Sequence, residues 1–180
     1  MTLFRLDSSI RQEGSVSREV ADTLQAAWAE THADGTVVRR DLIAQPIPAD
    51  AWPAAVSAGQ TPEEQRTPAQ RDAVALAATL ADELLAGDAA VIATPLYNYG
   101  ISQHLKAWID LIITDPRCAP GVEPLAGRPL TLVVVRGGGY GPGTPREGWD
   151  HATPYLLRIF AEVLGADVTL VDAERVSVAA

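Results

Sequence analysis

Three serines near the start of the chain have the residue type and spacing to bind a phosphate group. Ser9, Ser15 and Ser17 lie directly before and within the first turn of a helix that periodicity predicts from Val16. Hydroxyl groups and the free N–H groups of a helix N-terminus can hold a phosphate without a lysine. The chain has neither a G-x-G-x-x-G nor a G-x-x-x-x-G-K-[ST] motif. These serines therefore favour a terminal monophosphate, the alternative being that they cap the helix and turn the chain.

Two further segments carry groups that fit a planar ring. Tyr97 and Tyr99 bracket Asn98, whose amide offers both a donor and an acceptor to the edge of a heterocycle. The residues 137–139 are glycines, and backbone N–H groups without a neighbouring Cβ can approach a ligand closely. The alternatives are a loop whose tyrosines pack on the adjacent helix and a flexible glycine turn.

The elements that must position these groups follow from hydrophobic periodicity. The chain alternates between five predicted strands and four predicted helices, which favours a parallel sheet with right-handed crossovers. In an open parallel sheet, ligands bind beyond the carboxyl ends of the strands. The three candidate segments follow the first, third and fourth strands, and together they match the phosphate, ring and ring edge of flavin mononucleotide (FMN). The predicted strands are Leu3–Leu6, Thr36–Arg40, Ala89–Pro95, Pro129–Val135 and Asp167–Val171.

Two stretches depart from this alternation. Residues 43–67 are rich in Pro, Ala and turn residues, which predicts a long surface excursion. Thr67 and Gln70 then have the spacing of a capping box that begins the next helix. Few residues follow the last strand, so we expect no fifth helix. The apolar last strand would then lack a helix packed against it.

Composition limits the classes of function. The chain has 180 residues, 47% of them hydrophobic, and a formal net charge of −9, which predicts one globular domain over residues 1–180. The acidic balance disfavours nucleic acid, and no apolar run is long enough to span a membrane. The first residues lack a signal-peptide core, so we expect a cytoplasmic protein. The lone Cys118 excludes an internal disulfide, and neither His104 nor His151 has a second ligand at i+3 or i+4, so no metal site is predicted.

The sequence resembles the FMN-dependent NADH-azoreductases of the flavodoxin-like NAD(P)H:quinone oxidoreductase group over about residues 3–171. The segments 8–17, 95–99 (PLYNY), 105–110 (LKAWID) and 136–138 (RGG) carry the resemblance. It implies an α/β flavodoxin-like three-layer sandwich with a five-stranded parallel sheet in the order 2-1-3-4-5. The FMN-binding positions that it implies are Ser9, Ser15, Val16, Ser17, Pro95, Leu96, Tyr97, Asn98, Tyr99, Val135, Arg136, Gly137 and Gly138.

The resemblance also implies an activity. Tightly but non-covalently bound FMN would take hydride from NADH or NADPH and pass it to quinones, or to azo or nitro aromatic compounds, in ping-pong order. No catalytic acid or base is obligatory, because flavin N5 carries the hydride; Asn98, Gly137 and Gly138 would give electrostatic support. Tyr140 and Trp52 are candidates for substrate contact, with a loop anchor as the alternative for Tyr140. The implied assembly is a homodimer.

The chain departs from the pattern of these proteins at three places. Val135 stands where the family usually has Ser, residues 115–128 form a shorter segment without the family's aromatics, and the usual C-terminal helix is missing. The first two bear on which acceptor is reduced. A tailoring reductase of the same fold, specific for one biosynthetic quinone or nitrogen-containing aromatic, therefore stays open. A flavodoxin-type electron carrier and a flavin-free binding protein stay open as well.

Overall fold

Five runs of β-branched and aliphatic residues form a sheet in which every neighbouring pair of strands is parallel. The computed structural model describes residues 1–174. The strand order is β2-β1-β3-β4-β5, as predicted. All five predicted strands form, and the last runs beyond Val171. Their bounds are β1 (Thr2–Asp7), β2 (Thr36–Asp41), β3 (Ala89–Pro95), β4 (Pro129–Arg136) and β5 (Asp167–Glu174).

Helices cover both faces of the sheet, because alternate residues of the central strands are apolar on each face. In the part of the chain that the structure describes these are α1 (Val16–Thr31), α2 (Ala51–Ala58), α3 (Pro68–Leu85), α4 (Gln103–Ile112) and α5 (Thr153–Leu157). A π-helical segment (Arg158–Val163) continues α5. On one face α1 packs against Leu3, Val91 and Val133, and the larger core on the other face surrounds Trp108 of α4.

The prediction of four helices was wrong, because the excursion over residues 43–67 contains α2. Ala51, Ala55 and Ala58 recur at helical spacing and are buried. Pro53 falls within the first turn of α2, where its missing N–H would have had no intrahelical acceptor. The proline content of this segment therefore hid a short helix that packs on α3.

The capping box at the start of α3 is confirmed. The Gln70 amide N–H donates to Thr67 Oγ1 at 3.2 Å, and the Thr67 amide N–H donates to Gln70 Oε1 at 2.8 Å. Gln70 Nε2 also donates to Ser57 Oγ at 2.8 Å, so the start of α3 is tied to the end of α2.

The end of the chain is only partly described. Leu170 of β5 is 39% exposed, so part of this edge strand meets solvent. The expectation that no helix follows concerns residues 175–180, which lie outside the described residues, and a single domain over residues 1–180 stays a prediction. Among the described helices none has the length and apolar character needed to cross a membrane.

Candidate functional site

A cleft of about 160 Å³ lies at the carboxyl ends of β1, β3 and β4. This is where the strand order reverses, the place at which open parallel sheets bind ligands. The cleft brings together the three segments singled out in the sequence. Its lining residues are Ser9, Arg11, Gly14, Ser15, Val16, Ser17, Pro95, Leu96, Tyr97, Val135, Arg136 and Gly137. Of the FMN-binding positions implied by the resemblance, Asn98, Tyr99 and Gly138 do not line it.

The serine loop (residues 9–17) presents buried hydroxyl groups at the opening of α1. Ser9, Ser15 and Ser17 are each no more than 5% exposed. Ser15 occupies the N-cap position of α1, yet its side chain accepts no hydrogen bond from the helix. Instead its Oγ lies 3.2 Å from Ser17 Oγ, with both residues lining the cleft. The Ser15 side chain therefore does not cap α1, contrary to the alternative interpretation.

Tyr97 joins the loop after β3 to the serine loop. Its hydroxyl accepts the Ile10 amide N–H at 3.1 Å and lies 3.4 Å from Ser9 Oγ. The sequence predicted that the ring of Tyr97 would flank a planar ligand, and it gave no sign of this hydroxyl contact. The phenol thus helps to set the position of one of the three serines.

Asn98 and Tyr99 form the tip of a two-residue hairpin beside the cleft. Tyr97 and Gly100 exchange two backbone hydrogen bonds of 2.9 Å, and both tip residues have positive φ, 47° at Asn98 and 70° at Tyr99. This is a type I′ turn. The Tyr99 ring meets the Trp149 ring edge-on, with centroids 5.4 Å apart, and both rings are about half exposed. Asn98 lines a neighbouring groove of about 440 Å³, which shares Tyr97 with the cleft.

The three glycines after β4 have different surroundings. A Cβ on Gly137 would meet nothing within 4 Å, so this residue leaves the cleft open. A Cβ on Gly138 would lie 2.6 Å from Arg146 Nη1, and one on Gly139 would lie 2.8 Å from Thr144 Cγ2. Packing against Thr144 therefore restricts Gly139 to a residue without a Cβ, whereas at Gly138 the end of the flexible Arg146 side chain would have to move, and Gly137 lines the cleft.

Arg136 and Tyr140 are held by protein groups. Arg136 Nε donates to Asp172 Oδ1 at 2.9 Å, and Arg136 Nη1 donates to Asp150 Oδ2 at 3.3 Å. The Tyr140 ring is buried and has the guanidinium groups of Arg136 and Arg146 within 6 Å of its centre. Tyr140 does not line the cleft, so its contacts agree with a loop anchor rather than a substrate contact.

The placement of Trp52 corrects the sequence interpretation. It was expected in a loop near the pocket, but it lies on α2, half exposed, and does not line the cleft. Within residues 43–67, the helix α2 (Ala51–Ala58) packs on α3, and this explains why Trp52 lies away from the strand ends.

Sequence reasoning missed two cations next to the serine loop. Arg11 is exposed and lines the cleft. Arg18 is buried in the first turn of α1 and forms an ion pair with Asp41. Burial disfavours the charged form of Asp41, but hydrogen bonds from Arg18 and from two backbone amides outweigh it and lower the pKa of the carboxyl to about 2. One feature of the sequence could have indicated this ion pair. Arg18 lies in the first turn of a predicted helix, where a positive charge is unfavourable with the helix dipole and needs an acidic partner.

Neither a metal site nor a reactive thiol competes with the cleft in residues 1–174. There, no three His, Cys, Asp or Glu side chains are grouped as a metal site would need. Cys118 is buried, and burial together with the charge of Asp115 raises the pKa of its thiol to about 11. Such a thiol is protonated at neutral pH and is a poor nucleophile.

Comparison with known proteins identifies relatives along the whole chain. The model of a family described as having a flavodoxin-like fold matches residues 1–179. The FMN-dependent NADH:quinone oxidoreductase of Parafrankia sp. (strain EAN1pec) is 47% identical over 168 residues, which cover 92% of this chain and 79% of that protein. The protein of the same name from Frankia alni is 42% identical, covering 96% of this chain and 82% of the relative.

Solved structures share the fold. A crystal structure of an FMN-dependent NADH-azoreductase from Bacillus anthracis in complex with FMN superposes with a TM-score of 0.80 at 20% identity, covering 99% of this chain and 89% of that one. An azoreductase from Bacillus anthracis str. Sterne gives a TM-score of 0.79 at 24% identity, with 96% and 86% covered. The chain thus belongs to the family of FMN-dependent NADH:quinone oxidoreductases with a flavodoxin-like fold.

Proposed function

We propose that this chain is an FMN-dependent oxidoreductase that oxidises NADH and reduces quinones or azo and nitro aromatic compounds. Its relatives at 42–47% identity carry the name FMN-dependent NADH:quinone oxidoreductase. The residues that line the cleft supply groups suited to the phosphate and ring of FMN. A homodimer and a cytoplasmic location stay predictions.

The main support for the proposal is the orientation of the hydroxyl groups in the serine loop. Ser15 and Ser17 are buried and turn their hydroxyl groups toward each other and the cleft, instead of capping α1. The first-turn amides of α1 keep the free N–H groups that every helix has at its N-terminus. These N–H groups, the hydroxyls and the helix dipole together favour a dianion, and the exposed Arg11 adds a positive charge at the same place.

The rest of the cleft fits a flat, largely apolar ring. Pro95, Leu96 and Val135 line it with apolar groups, and Gly137 leaves space where a Cβ would otherwise stand. Val135 stands where the resemblance implies a serine, and its side chain gives no hydrogen bond to a ring. We therefore expect polar contacts at this edge from the backbone of residues 136 and 137.

Bound FMN would supply the hydride chemistry, and the protein supplies binding and electrostatics. The guanidinium of Arg136 pairs with Asp150 and Asp172, so its charge is largely balanced within the protein. Backbone N–H groups at the end of β4 are then the groups best placed to stabilise negative charge on a ligand, since such dipoles need no reorganisation. Asn98 lies at the border of the cleft, and its contact with a flavin edge stays a prediction.

A spectroscopic experiment tests the proposal. The chain is loaded with FMN, separated from free FMN, and titrated with NADH in the absence of oxygen. We expect the visible flavin absorbance to be retained after separation, to bleach with NADH, and to return when a quinone is added. A protein that takes up no FMN would contradict the proposal. A protein that retains FMN but is reduced by neither NADH nor NADPH would be an electron carrier that needs a separate reductase.

The range of acceptors separates the proposed function from a specialist of the same fold. The segment 115–128 motivates the comparison, since it lacks the aromatic residues that the resemblance implies beside the substrate site. We expect steady-state rates with simple quinones, azo dyes and nitroaromatics to be of similar order. Activity confined to one compound would favour a tailoring reductase.

A further inference from the structure

Arg18 contacts the serine loop but does not line the cleft. Its Nε donates to the Arg11 carbonyl at 2.9 Å, and its Nη2 donates to the Ser9 carbonyl at 2.9 Å. The side chain is 7% exposed. One guanidinium thus holds two carbonyls of the same loop, and it does not line the cleft itself.

Asp41 at the end of β2 holds this guanidinium in place. Asp41 accepts from Arg18 through both oxygens, at 2.6 and 3.0 Å. One of these oxygens also accepts the amide N–H groups of Ile43 and Ala44. The buried Asp7 carboxylate lies 3.9 Å from Arg18 Nη1 and adds a second negative charge. Such two-pronged pairing fixes the plane of the guanidinium as well as its position.

The direction of the two carbonyls determines what the loop presents to the cleft. In a trans peptide the C=O and the following N–H point in opposite directions. Because the Ser9 carbonyl points to Arg18, the Ile10 N–H points away from it and is accepted by the Tyr97 hydroxyl. The Arg11 N–H donates to Ser9 Oγ at 3.3 Å. The position of Ser9 Oγ in the cleft therefore depends on a loop conformation that Arg18 holds.

We propose that Arg18, oriented by Asp41, is a positioning residue that holds the serine loop in its phosphate-binding conformation. The inference rests on the proposed function, because it assigns the phosphate of FMN to this loop. Arg18 acts through Ser9 and the loop backbone and does not contact the ligand. Its contribution therefore concerns the phosphate and leaves the contacts to the flavin ring unchanged.

The test compares FMN with riboflavin, which has the same ring and no phosphate. Affinities of both ligands are measured by flavin fluorescence for the wild-type chain, Arg18→Gln and Arg18→Lys. We expect Arg18→Gln to weaken FMN binding about 30-fold, because the loop loses two hydrogen bonds from a charged group and only part of that loss reaches the bound phosphate. Riboflavin affinity should change less than about threefold. Arg18→Lys keeps the charge but lacks the planar fork, so FMN binding should fall about tenfold.

Arg40→Gln is the matched control. Arg40 forms a similar ion pair with Glu83, with 12% of its side chain exposed, and it does not contact the serine loop. The ratio of FMN to riboflavin affinity should stay at the wild-type value in this variant. The same ratio is expected to fall in both Arg18 variants. A general loss of stability would weaken both ligands alike and would leave the ratio unchanged.

Three outcomes overturn the inference. In the first, the Arg18 variants keep the wild-type ratio, and in the second, both ligands weaken equally. In the third, neither Arg18 variant folds, which would make Arg18 a residue of the fold rather than of the site. A different result would overturn the proposed phosphate site itself: a wild-type chain that binds riboflavin as tightly as FMN.

Discussion

Two serines at equivalent helix positions have different contacts. Ser102 is the N-cap of α4, and its Oγ accepts the Leu105 amide N–H at 3.1 Å. Ser15 is the N-cap of α1, but its Oγ lies beside Ser17 Oγ and accepts nothing from the helix. Both residues are buried. The difference indicates that Ser102 stabilises the fold, whereas Ser15 leaves its helix terminus free for a ligand.

Alanine substitutions separate these two roles. Ser102→Ala should lower the free energy of unfolding by about 1 kcal/mol, the usual effect of losing an N-cap. Ser15→Ala removes no capping hydrogen bond and should lower it less than Ser102→Ala does. It should weaken FMN binding about tenfold, as loss of a hydrogen bond to a charged group implies. Urea unfolding and FMN titration of both variants measure this. If Ser15→Ala lost as much stability as Ser102→Ala and kept its FMN affinity, Ser15 would be an ordinary N-cap residue and its assignment to the ligand would be contradicted.

At the residue scale the sequence predicted most of the cleft lining. Hydroxyls at a helix start, an apolar strand end and a glycine after β4 are local signals, so Ser9, Ser15, Ser17, Leu96 and Gly137 could be found from residue type and place in the sheet. The Arg18–Asp41 pair could not be found in this way. Its partners are 23 residues apart in sequence, and only the folded chain brings them together.

At the element scale, the hairpin tip after β3 limits which residues can stand there. Asn98 and Tyr99 both have positive φ, which asparagine tolerates and which is strained for a bulky residue. The turn is held by two backbone hydrogen bonds and by the edge-on contact of Tyr99 with Trp149. The choice of asparagine at position 98 therefore has a conformational reason that is independent of any ligand.

Substitution by glycine isolates the side chain of Asn98 from its conformational role. Asn98→Gly should keep the stability of the fold within about 0.5 kcal/mol, because glycine adopts positive φ without a penalty. Asn98→Ala should cost about 1 kcal/mol, since alanine is strained in this region. Thermal unfolding of both variants measures the difference. Equal stability of the two would contradict the strained-turn assignment, and a loss of FMN affinity in Asn98→Gly would assign the side chain to the ligand.

The elements that the sequence predicted poorly share a physical reason. The helix α2 is eight residues long and contains proline, so its stability comes from burying three alanines against α3 rather than from propensity. The roles of the glycines after β4 also depend on tertiary packing, because Arg146 and Thr144 occupy the space beside Gly138 and Gly139. Local patterns do not contain such contacts.

At the scale of the whole molecule, an acidic chain buries a group of charges beside its cleft. Arg5 is 1% exposed and pairs with the fully buried Asp7, which also accepts from Arg39. The Arg18–Asp41 pair lies next to this group. Removing one partner of a buried pair is costly, because the remaining charge stays desolvated. Stability near the cleft should therefore depend on pH through Asp41.

The sign of this dependence follows from the pKa of Asp41, which folding lowers from 3.8 to about 2. A lowered carboxyl pKa stabilises the fold above the ordinary pKa, and this stabilisation is lost as pH falls through the folded value. The wild type should be more stable than Asp41→Asn by a constant amount above pH about 4, and the difference should shrink toward pH 2. Urea unfolding across this range measures it.

Asp50→Asn provides the control for this titration. Asp50 is an exposed carboxyl before α2, and its side chain makes no capping hydrogen bond. Its substitution should leave the unfolding midpoint close to the wild-type value at every pH. A wild-type advantage over Asp41→Asn that stays constant down to pH 2, or that grows on acidification, would contradict the assignment of this stabilisation to the Arg18–Asp41 pair.

The central claim is that the serine loop holds the phosphate of FMN, and a crystal structure of the chain with FMN tests it most directly. We expect the phosphate within hydrogen-bonding distance of Ser15 Oγ, Ser17 Oγ and the first amides of α1, with the ring beside Leu96 and Gly137. A complex in which the phosphate lies elsewhere, or in which this cleft stays empty at saturating FMN, would contradict the account.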